Sequence, residues 1–344
     1  MTTDLPKPPP FKPPFWMRPA MVQTILASFK LRKRGEGAME AAAREIIFEC
    51  GPQEVIKHEG GPNIAPKPVR LMGSYSKAEN SKSLVLFLHG WEGSQDSTYV
   101  VSCARYFYDL GCSVFRLNFR DHGPTHHLNE DIFLATRFAE VFSAVQQICA
   151  LEPERPVYIA GFSMGGNFAL RVARESVKTP IENHAHIFSI SPVIEPWPAA
   201  PLVDKGVLIS RYFLKKLRRT MRAKQAAFPD LHDFTQALEM KKVMDISEAI
   251  LPKYSGFDDL ESYFNGYRIE PQDLAACRVP TSIIMAKDDP IVPPEGIDTL
   301  DLSGACRDIR LDYGGHNGFF QSVLGPTWYD EYMRSIIFET RAVG

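Results

Sequence analysis

The stretch that decides the fold is Gly161-Phe162-Ser163-Met164-Gly165-Gly166-Asn167, which follows the apolar run Pro156-Val157-Tyr158-Ile159-Ala160. A continuous apolar run is typical of a strand that is buried on both faces of a parallel sheet. Apolar residues then recur at helical spacing, at Phe168, Leu170, Val172 and Ala173. The serine of a Gly-x-Ser-x-Gly sequence is therefore expected on a turn between a strand and a helix.

Two interpretations of Ser163 are open. On a sharp strand-to-helix turn the backbone is strained and the serine hydroxyl is exposed at the end of the sheet, where it can act as a nucleophile. The flanking Gly161 and Gly165 favour this interpretation, because bulkier residues two positions from the serine would clash. The alternative is a tight-turn serine that only caps the helix.

A serine nucleophile needs a base, and the base needs an orienting carboxylate. Asp288 and Asp289 follow the predicted strand Thr281–Ala286, which places them at the same edge of the sheet as Ser163. His316 lies in a glycine-rich segment after the last short strand. We predict that His316 is the base and that one of the two aspartates orients it. An Asp-Pro turn and a structural histidine are the alternatives.

Negative charge on a reacting carbonyl oxygen needs backbone N–H donors. Met164, directly after the serine, is the first predicted donor. Trp91, in the loop His89-Gly90-Trp91-Glu92-Gly93-Ser94 after the first buried strand, is the second. The side chains of Trp91, Phe162 and Trp197 are predicted to contact the substrate.

The remaining pattern predicts a mostly parallel α/β sheet with helices on both faces. The predicted strands are Ala43–Glu49, Val69–Ser74, Leu84–Leu88, Cys112–Leu117, Val157–Ala160, His186–Ile190, Thr281–Ala286 and Ile309–Leu311, and the predicted helices are Met21–Leu31, Val100–Leu110, Ile132–Ala150, Asn167–Ser176 and Trp328–Thr340. A long, largely helical interval separates the sixth and seventh strands, and insertions at that edge of a sheet cover the site. We expect an N-terminal arm over residues 1–40, a core over 41–192 and 277–344, and a lid over 193–276.

Composition excludes several classes of protein. The 344 residues are 44% hydrophobic and 23% charged, which is ordinary for a globular enzyme, and a net charge of -2 does not favour nucleic acid. The six cysteines form no C-x-x-C pair, which excludes a zinc ribbon. The start of the chain is proline-rich and lacks the apolar core of a signal peptide, so a cytoplasmic location is expected.

Two segments carry rival interpretations. The loop with His122, His126 and His127 offers metal-ligand chemistry, but adjacent histidines point in different directions, and we expect a wall of the cleft and no metal. The basic amphipathic segment Leu208–Arg219 is expected to pack over the site as part of the lid. The alternative for that segment is peripheral contact with anionic lipid or with the phosphates of acyl-CoA.

With these motifs placed, the chain resembles the α/β-hydrolases, and within them the YheT-like branch that includes abhydrolase lipases and alcohol acyltransferases. The resemblance covers nearly the whole chain. It is carried by Pro13-Pro14-Phe15-Trp16-Met17-Arg18 with Val22-Gln23-Thr24-Ile25, by HGWEGS (89–94), GFSMGGN (161–167), DDPIVP (288–293) and GGHNGF (314–319), and by the segment 255–264. One departure is Ala20-Met21, where the branch commonly has a histidine.

The resemblance implies a serine hydrolase that cleaves small-molecule carboxylic esters through an acyl-enzyme, with no cofactor. In related hydrolases the acid stands three residues before the Val or Leu of a Val-Pro pair, which favours Asp289 over Asp288. An acyltransferase that delivers the acyl group to an alcohol, a thioesterase, and a non-catalytic binding protein are the alternatives. The oligomeric state and the pathway are left open by the sequence.

Overall fold

The computed structural model describes residues 5–33, 37–52 and 67–339. The strands are β1 Ala43–Pro52, β2 Pro68–Ser76, β3 Leu84–Leu88, β4 Ser113–Leu117, β5 Val157–Phe162, β6 His184–Ile190, β7 Thr281–Ala286 and β8 Cys306–Leu311. The helices are α1 Ala20–Ala27, α2 Ala38–Ala41, α3 Thr98–Asp109, α4 Phe138–Cys149, α5 Met164–Glu175, α6 Pro196–Ala199, α7 Val207–Ala227, α8 Thr235–Glu239, α9 Val243–Ser255, α10 Leu260–Asn265 and α11 Trp328–Glu339.

The eight strands form one sheet in the order β1-β2-β4-β3-β5-β6-β7-β8. β1 and β2 are antiparallel, and β2 pairs antiparallel with β4. The pairs from β4 through β8 are all parallel. The carboxyl ends of β3, β5, β7 and β8 therefore meet at one edge, where the loops with the predicted site residues begin.

Each face of the sheet carries its own hydrophobic core. One core joins the sheet to α4 and α5 and continues into the helices between β6 and β7. The other core packs α3 and α11 against the opposite face. Strands β3, β4 and β5 are buried along their whole length, because both of their faces are covered. The prediction of a mostly parallel α/β sheet with helices on both faces is confirmed.

One predicted helix begins at the wrong residue. The sequence pattern started it at Ile132, but α4 begins at Phe138. Ile132 and Phe133 belong to an irregular loop, in which the Phe133 N–H donates to Asp121 Oδ2 at 2.9 Å. Both side chains line a cavity. Their apolar character reflects that cavity and not a helix face, which periodicity alone cannot distinguish.

Five helices, α6 to α10, lie between β6 and β7, and α7 is the longest of them. Their inward apolar side chains, among them Phe213, Met221 and Ile246, continue the core of the α4/α5 face. Within the described ranges, no helix is both long enough and apolar enough to cross a membrane. Whether this insertion acts as a lid stays a prediction.

Candidate active site

Ser163 lies on the turn between β5 and α5 with φ 55° and ψ -116°. Non-glycine residues rarely adopt this conformation, which costs about 1–3 kcal/mol. A Cβ on Gly161 would lie 2.2 Å from the Gly165 carbonyl oxygen, and a Cβ on Gly165 would lie 2.2 Å from the Leu88 carbonyl oxygen. Both flanking positions therefore exclude any side chain, as the sequence pattern predicts.

Ser163 also occupies the N-cap position of α5, but its side chain makes no capping hydrogen bond. The capping alternative is therefore not supported. The hydroxyl group instead lies at the wall of a cavity that His316, Trp91 and Met164 also line.

His316 is held by a buried carboxylate. Its Nδ1 lies 2.8 Å from Asp289 Oδ2, and the exposed fractions of the two side chains are 9% and 1%. Asp289 Oδ1 accepts hydrogen bonds from the backbone N–H groups of Ile291, at 2.8 Å, and Val292, at 3.0 Å. Three donors thus fix the carboxylate, and the pairing favours the tautomer of His316 in which Nδ1 carries the proton and Nε2 can accept one.

Asp288 does not contact the imidazole of His316. Its Oδ1 accepts a hydrogen bond from the Gly315 N–H at 2.9 Å, one residue before the histidine. Burial raises the pKa of Asp288, and the Gly315 N–H partly opposes that shift. Asp289 holds the ring, whereas Asp288 holds the loop that carries it.

The loop after β3 lies directly against the serine, since a Cβ on Gly90 would lie 3.2 Å from the Ser163 Cβ. Two buried histidines shape this loop. His89 pairs through Nδ1 with the Gly90 carbonyl oxygen at 2.7 Å, and His122 Nε2 accepts from the Glu92 N–H at 3.1 Å. Burial lowers the pKa of both imidazoles. Both imidazoles are therefore neutral, and they hold the loop in place through these hydrogen bonds.

The backbone N–H groups of Trp91 and Met164 donate to no protein acceptor among the described residues. Both residues line the cavity beside Ser163. Two such donors next to a nucleophile are what a developing oxyanion needs.

Side chains of helix α7 form hydrogen bonds to Glu92, the residue after Trp91. This contact was not predicted from the sequence. Thr220 Oγ1 donates to Glu92 Oε2 at 2.7 Å, and Lys216 Nζ donates to the Glu92 carbonyl oxygen at 2.9 Å. One turn further along, Lys224 Nζ donates to Asp121 Oδ1 at 2.8 Å. The only signal in the sequence is the spacing of four residues, which places Lys216, Thr220 and Lys224 on one face of a helix.

The buried carboxyl group of Glu92 should make the free energy of unfolding depend on pH. Burial raises its pKa from 4.5 to about 7, although the Thr220 hydroxyl, Lys216 and Arg219 oppose the shift and Asp121 adds to it. Between these pH values the folded protein keeps a proton that the unfolded chain releases, so the free energy of unfolding falls as pH rises. Urea unfolding from about pH 5 to about pH 8 should show wild type losing up to about 3 kcal/mol relative to Glu92→Gln.

The amide of Glu92→Gln keeps the acceptor for Thr220 and removes the titration, so it is a matched variant. Identical pH dependence in the two proteins would contradict the prediction.

The cavity beside Ser163 has a volume of about 730 Å³ and mostly apolar walls. It is lined by α1, by the loops after β3 and β4, and by helices of the insertion. The prediction that the loop with His122 forms one wall agrees with this arrangement. Cavity-lining residues that are also exposed mark its opening to solvent; they include Ile25, Phe29, Leu208 and Tyr212.

The structure does not bring two of the predicted substrate contacts to the cavity. Phe162 is fully buried in the core of the α3/α11 face, where it packs against Tyr99 and Tyr329. It does not line the cavity, although Tyr99, which it contacts, does. Trp197 packs against Phe264 at 6.1 Å between ring centroids, but it does not line the cavity. Trp91 does line it, with its ring stacked on Phe213.

Five of the seven basic residues of α7 fall into two groups. Lys216 and Lys224 point inward and bind the loops after β3 and β4. Arg211, Lys215 and Arg219 are exposed. Contact of this outer face with a lipid surface stays a prediction. Among the described residues, no group of three His, Cys, Asp or Glu is arranged to hold a metal ion.

The sequence matches known hydrolases. Residues 79–313 match the model of the Hydrolase_4 family, described as serine aminopeptidase S33. Over 271 residues, 74% of this chain, it is 23% identical to a monoacylglycerol lipase of Saccharomyces cerevisiae. It is 22% identical over 287 residues to that yeast's medium-chain fatty acid ethyl ester synthase/esterase 2. The chain covers 58% and 63% of the lengths of these curated relatives, about three fifths.

Among solved structures, the fold is similar to a hyperthermophilic esterase from the archaeon Pyrobaculum calidifontis. The TM-score is 0.50 at 15% sequence identity, and the match covers 94% of this chain and 90% of the other. This likeness concerns the fold alone. The family match extends from before β3 to Tyr313, three residues before His316, and includes the turn of Ser163. The chain therefore belongs to the Hydrolase_4 (serine aminopeptidase S33) family of α/β-hydrolases.

Proposed function

We propose that the protein is a serine esterase that hydrolyses carboxylic esters of fatty acids. One observation carries the proposal: a serine in a strained turn lies at the wall of a large apolar cavity, which also receives a histidine paired with a buried aspartate. Ser163 is the proposed nucleophile, His316 the general base and acid, and Asp289 the residue that orients His316.

In the first half of the reaction, Ser163 Oγ attacks the acyl carbon while its proton passes to His316 Nε2. The carbonyl oxygen becomes an oxyanion, for which the Trp91 and Met164 N–H groups are the proposed donors. The bond from the acyl carbon to the leaving alkoxide then breaks. His316 returns the proton to that oxygen, which releases the alcohol and leaves the acyl group on Ser163.

In the second half, water replaces the alcohol. His316 takes a proton from the water as its oxygen attacks the acyl carbon. The bond to Ser163 Oγ breaks and Oγ recovers the proton, so that the fatty acid leaves and the enzyme returns to its starting state. No step needs a cofactor.

The cavity favours an acyl chain. Its volume of about 730 Å³ lies within the range of small-molecule sites, and its apolar walls stabilise methylene groups by roughly 0.8 kcal/mol each. The names of the yeast relatives, a monoacylglycerol lipase and a fatty acid ethyl ester synthase/esterase, point to the same substrate class. We therefore propose monoacylglycerols or simple alkyl esters as substrates, with the insertion between β6 and β7 acting as a lid.

The cavity argues against a peptide with a free amino terminus, the substrate that the family description suggests. A buried ammonium group needs an unengaged carboxylate. The cavity is lined by two carboxylates, Glu92 and Asp121. Asp121 is already paired with Lys224, and burial raises the pKa of Glu92 to about 7, which disfavours its charged form.

A series of p-nitrophenyl esters from acetate to palmitate tests the proposed substrate class. We expect kcat/KM to rise with acyl length until the cavity is filled, because each added methylene leaves water. The Ser163→Ala variant measures the background rate for each ester. A rate that is highest for acetate and falls steadily with length would contradict a fatty acyl substrate but not ester hydrolysis.

A second candidate function is acyl transfer to an alcohol. The apolar cavity wall and the similarity to an ethyl ester synthase/esterase favour it. Ethanol would then replace water in the second half-reaction and yield an ethyl ester. Measuring both products over a range of ethanol concentrations separates the two functions, since a hydrolase gives free acid only. A thioester substrate is tested by the same turnover assay with an acyl-CoA.

A further inference from the structure

We infer that Gln23 and Thr24, on α1, are positioning residues that hold the backbone of the His316 loop. The inference rests on the proposed function, because it concerns the histidine assigned there as the base. Neither residue contacts the reacting atoms. The sequence singled out Gln23-Thr24 only as part of an N-terminal pattern, and the function proposed above does not use it.

Thr24 binds the catalytic loop at the histidine itself. The backbone N–H of His316 donates to Thr24 Oγ1 at 2.9 Å, and that hydroxyl donates to the Ala20 carbonyl oxygen at 2.8 Å. Because the Thr24 hydroxyl donates its proton to Ala20, its oxygen can act only as the acceptor toward the His316 N–H. Thr24 transmits the position of α1 to the backbone of His316.

Gln23 binds the same segment four residues further on, and its side chain is fully buried. Its Oε1 accepts from the Phe320 N–H at 2.7 Å, while its Nε2 donates to the Phe320 carbonyl oxygen at 3.0 Å. Nε2 also donates to the Met17 carbonyl oxygen at 2.8 Å. One amide therefore pairs with both backbone groups of Phe320, as a neighbouring strand would.

The loop and the helix lie too close for any intervening side chain or water. Gly315 has φ +50°, and a Cβ on it would lie 2.3 Å from the Ala20 carbonyl oxygen. The Gly315 N–H is bound in turn by Asp288. Three side chains thus fix the backbone at Gly315, His316 and Phe320, and two of the three belong to α1.

The same helix forms part of the substrate cavity. Met21, Thr24 and Ile25 of α1 line the cavity, and so does Phe29, two residues beyond the helix. Arg32, just beyond α1, donates to the carbonyl oxygens of Val323 and Gly325 at 2.7 and 3.0 Å, which anchors this segment to the region after the catalytic loop. The segment that contains α1 therefore forms part of the active site.

The test compares Thr24→Val with Thr24→Ser. Valine keeps the volume of the side chain, and with it the cavity wall, but removes the acceptor of the His316 N–H. We expect kcat per active site to fall about 10- to 100-fold with KM within about twofold, a loss of transition-state stabilisation only. Thr24→Ser restores the hydroxyl, so its kcat should stay within about threefold of wild type.

Active sites are counted by titration with a fluorophosphonate, so misfolded protein does not enter the kcat. Gln321→Ala is the control, because it removes a hydrogen bond between Lys12 of the arm and the same C-terminal segment, at the protein surface. It should leave kcat unchanged. Unchanged kcat in Thr24→Val, or equal losses in the valine and serine variants, would overturn the inference.

A second readout does not depend on turnover. The Nδ1 proton between His316 and Asp289 should give a low-field proton resonance in wild type and in Thr24→Ser, and should broaden or vanish in Thr24→Val. Wild-type protein that shows this resonance but no labelling and no ester turnover would contradict the proposed function alone. A resonance identical in all three proteins would contradict the positioning role.

Discussion

Replacing Ser163 by alanine is expected to lower kcat/KM for a fatty acyl ester by about three to six orders of magnitude, because the covalent half-reactions lose their nucleophile. The backbone there has φ 55°, which alanine adopts about as readily as serine, and the hydroxyl makes no capping bond. Thermal unfolding of the variant should therefore be close to that of wild type. The activity loss can then be attributed to chemistry.

Labelling with a fluorophosphonate probe checks this result directly. Wild type should label at one site and Ser163→Ala should not. Equal turnover in the two proteins would exclude Ser163 as the nucleophile. Absence of labelling in folded wild type would favour the binding-protein alternative.

The second large effect is expected for Asp289→Asn, with a loss in kcat of about 10³- to 10⁴-fold. Asp289 Oδ1 accepts from the N–H groups of Ile291 and Val292, so an asparagine would keep its oxygen there and turn its NH₂ group toward His316. His316 Nδ1 must then accept a hydrogen bond, and the proton moves to Nε2. Nε2, the proposed acceptor of the Ser163 proton, can then no longer act as a base.

Asp288→Asn is the matched control. Its amide oxygen can still accept from the Gly315 N–H, and it does not contact the imidazole, so we expect a loss of less than about tenfold. Stopped assays on the two asparagine variants at neutral pH decide between the aspartates. A larger loss in Asp288→Asn would reverse the assignment.

Much of this arrangement could be predicted from the sequence because it depends on local rules. The buried strands appear in the sequence as continuous apolar runs. Gly161 and Gly165 are required because a side chain at either position would clash with the backbone around the turn of Ser163. The eight strands of the structure match the eight predicted ones, with differences at their ends. The aspartate and the histidine follow strands, so parallel topology alone brings them to one edge.

The structure differs from the sequence-based expectations where local rules do not apply. Phe162 is adjacent to the serine, but the end of β5 directs its side chain to the other core. Trp197 lies in a part of the insertion that none of the quoted motifs covers, so neither periodicity nor spacing placed it. The hydrogen bond from Thr220 to Glu92 joins residues 128 positions apart, and the helical spacing of Lys216, Thr220 and Lys224 does not indicate which loop that face contacts.

The bond between Thr24 and His316 also has a consequence for folding. It joins residues 292 positions apart, and the pairing of Gln23 with Phe320 spans 297. Contacts that close such long stretches carry a large entropic cost and form late, whereas the turn of Ser163 arises between adjacent elements. During synthesis the proposed nucleophile Ser163 therefore precedes its proposed base His316 by nearly half of the 344 residues. If the proposed function holds, activity is acquired late in folding, when the segment of α1 meets the loop of His316.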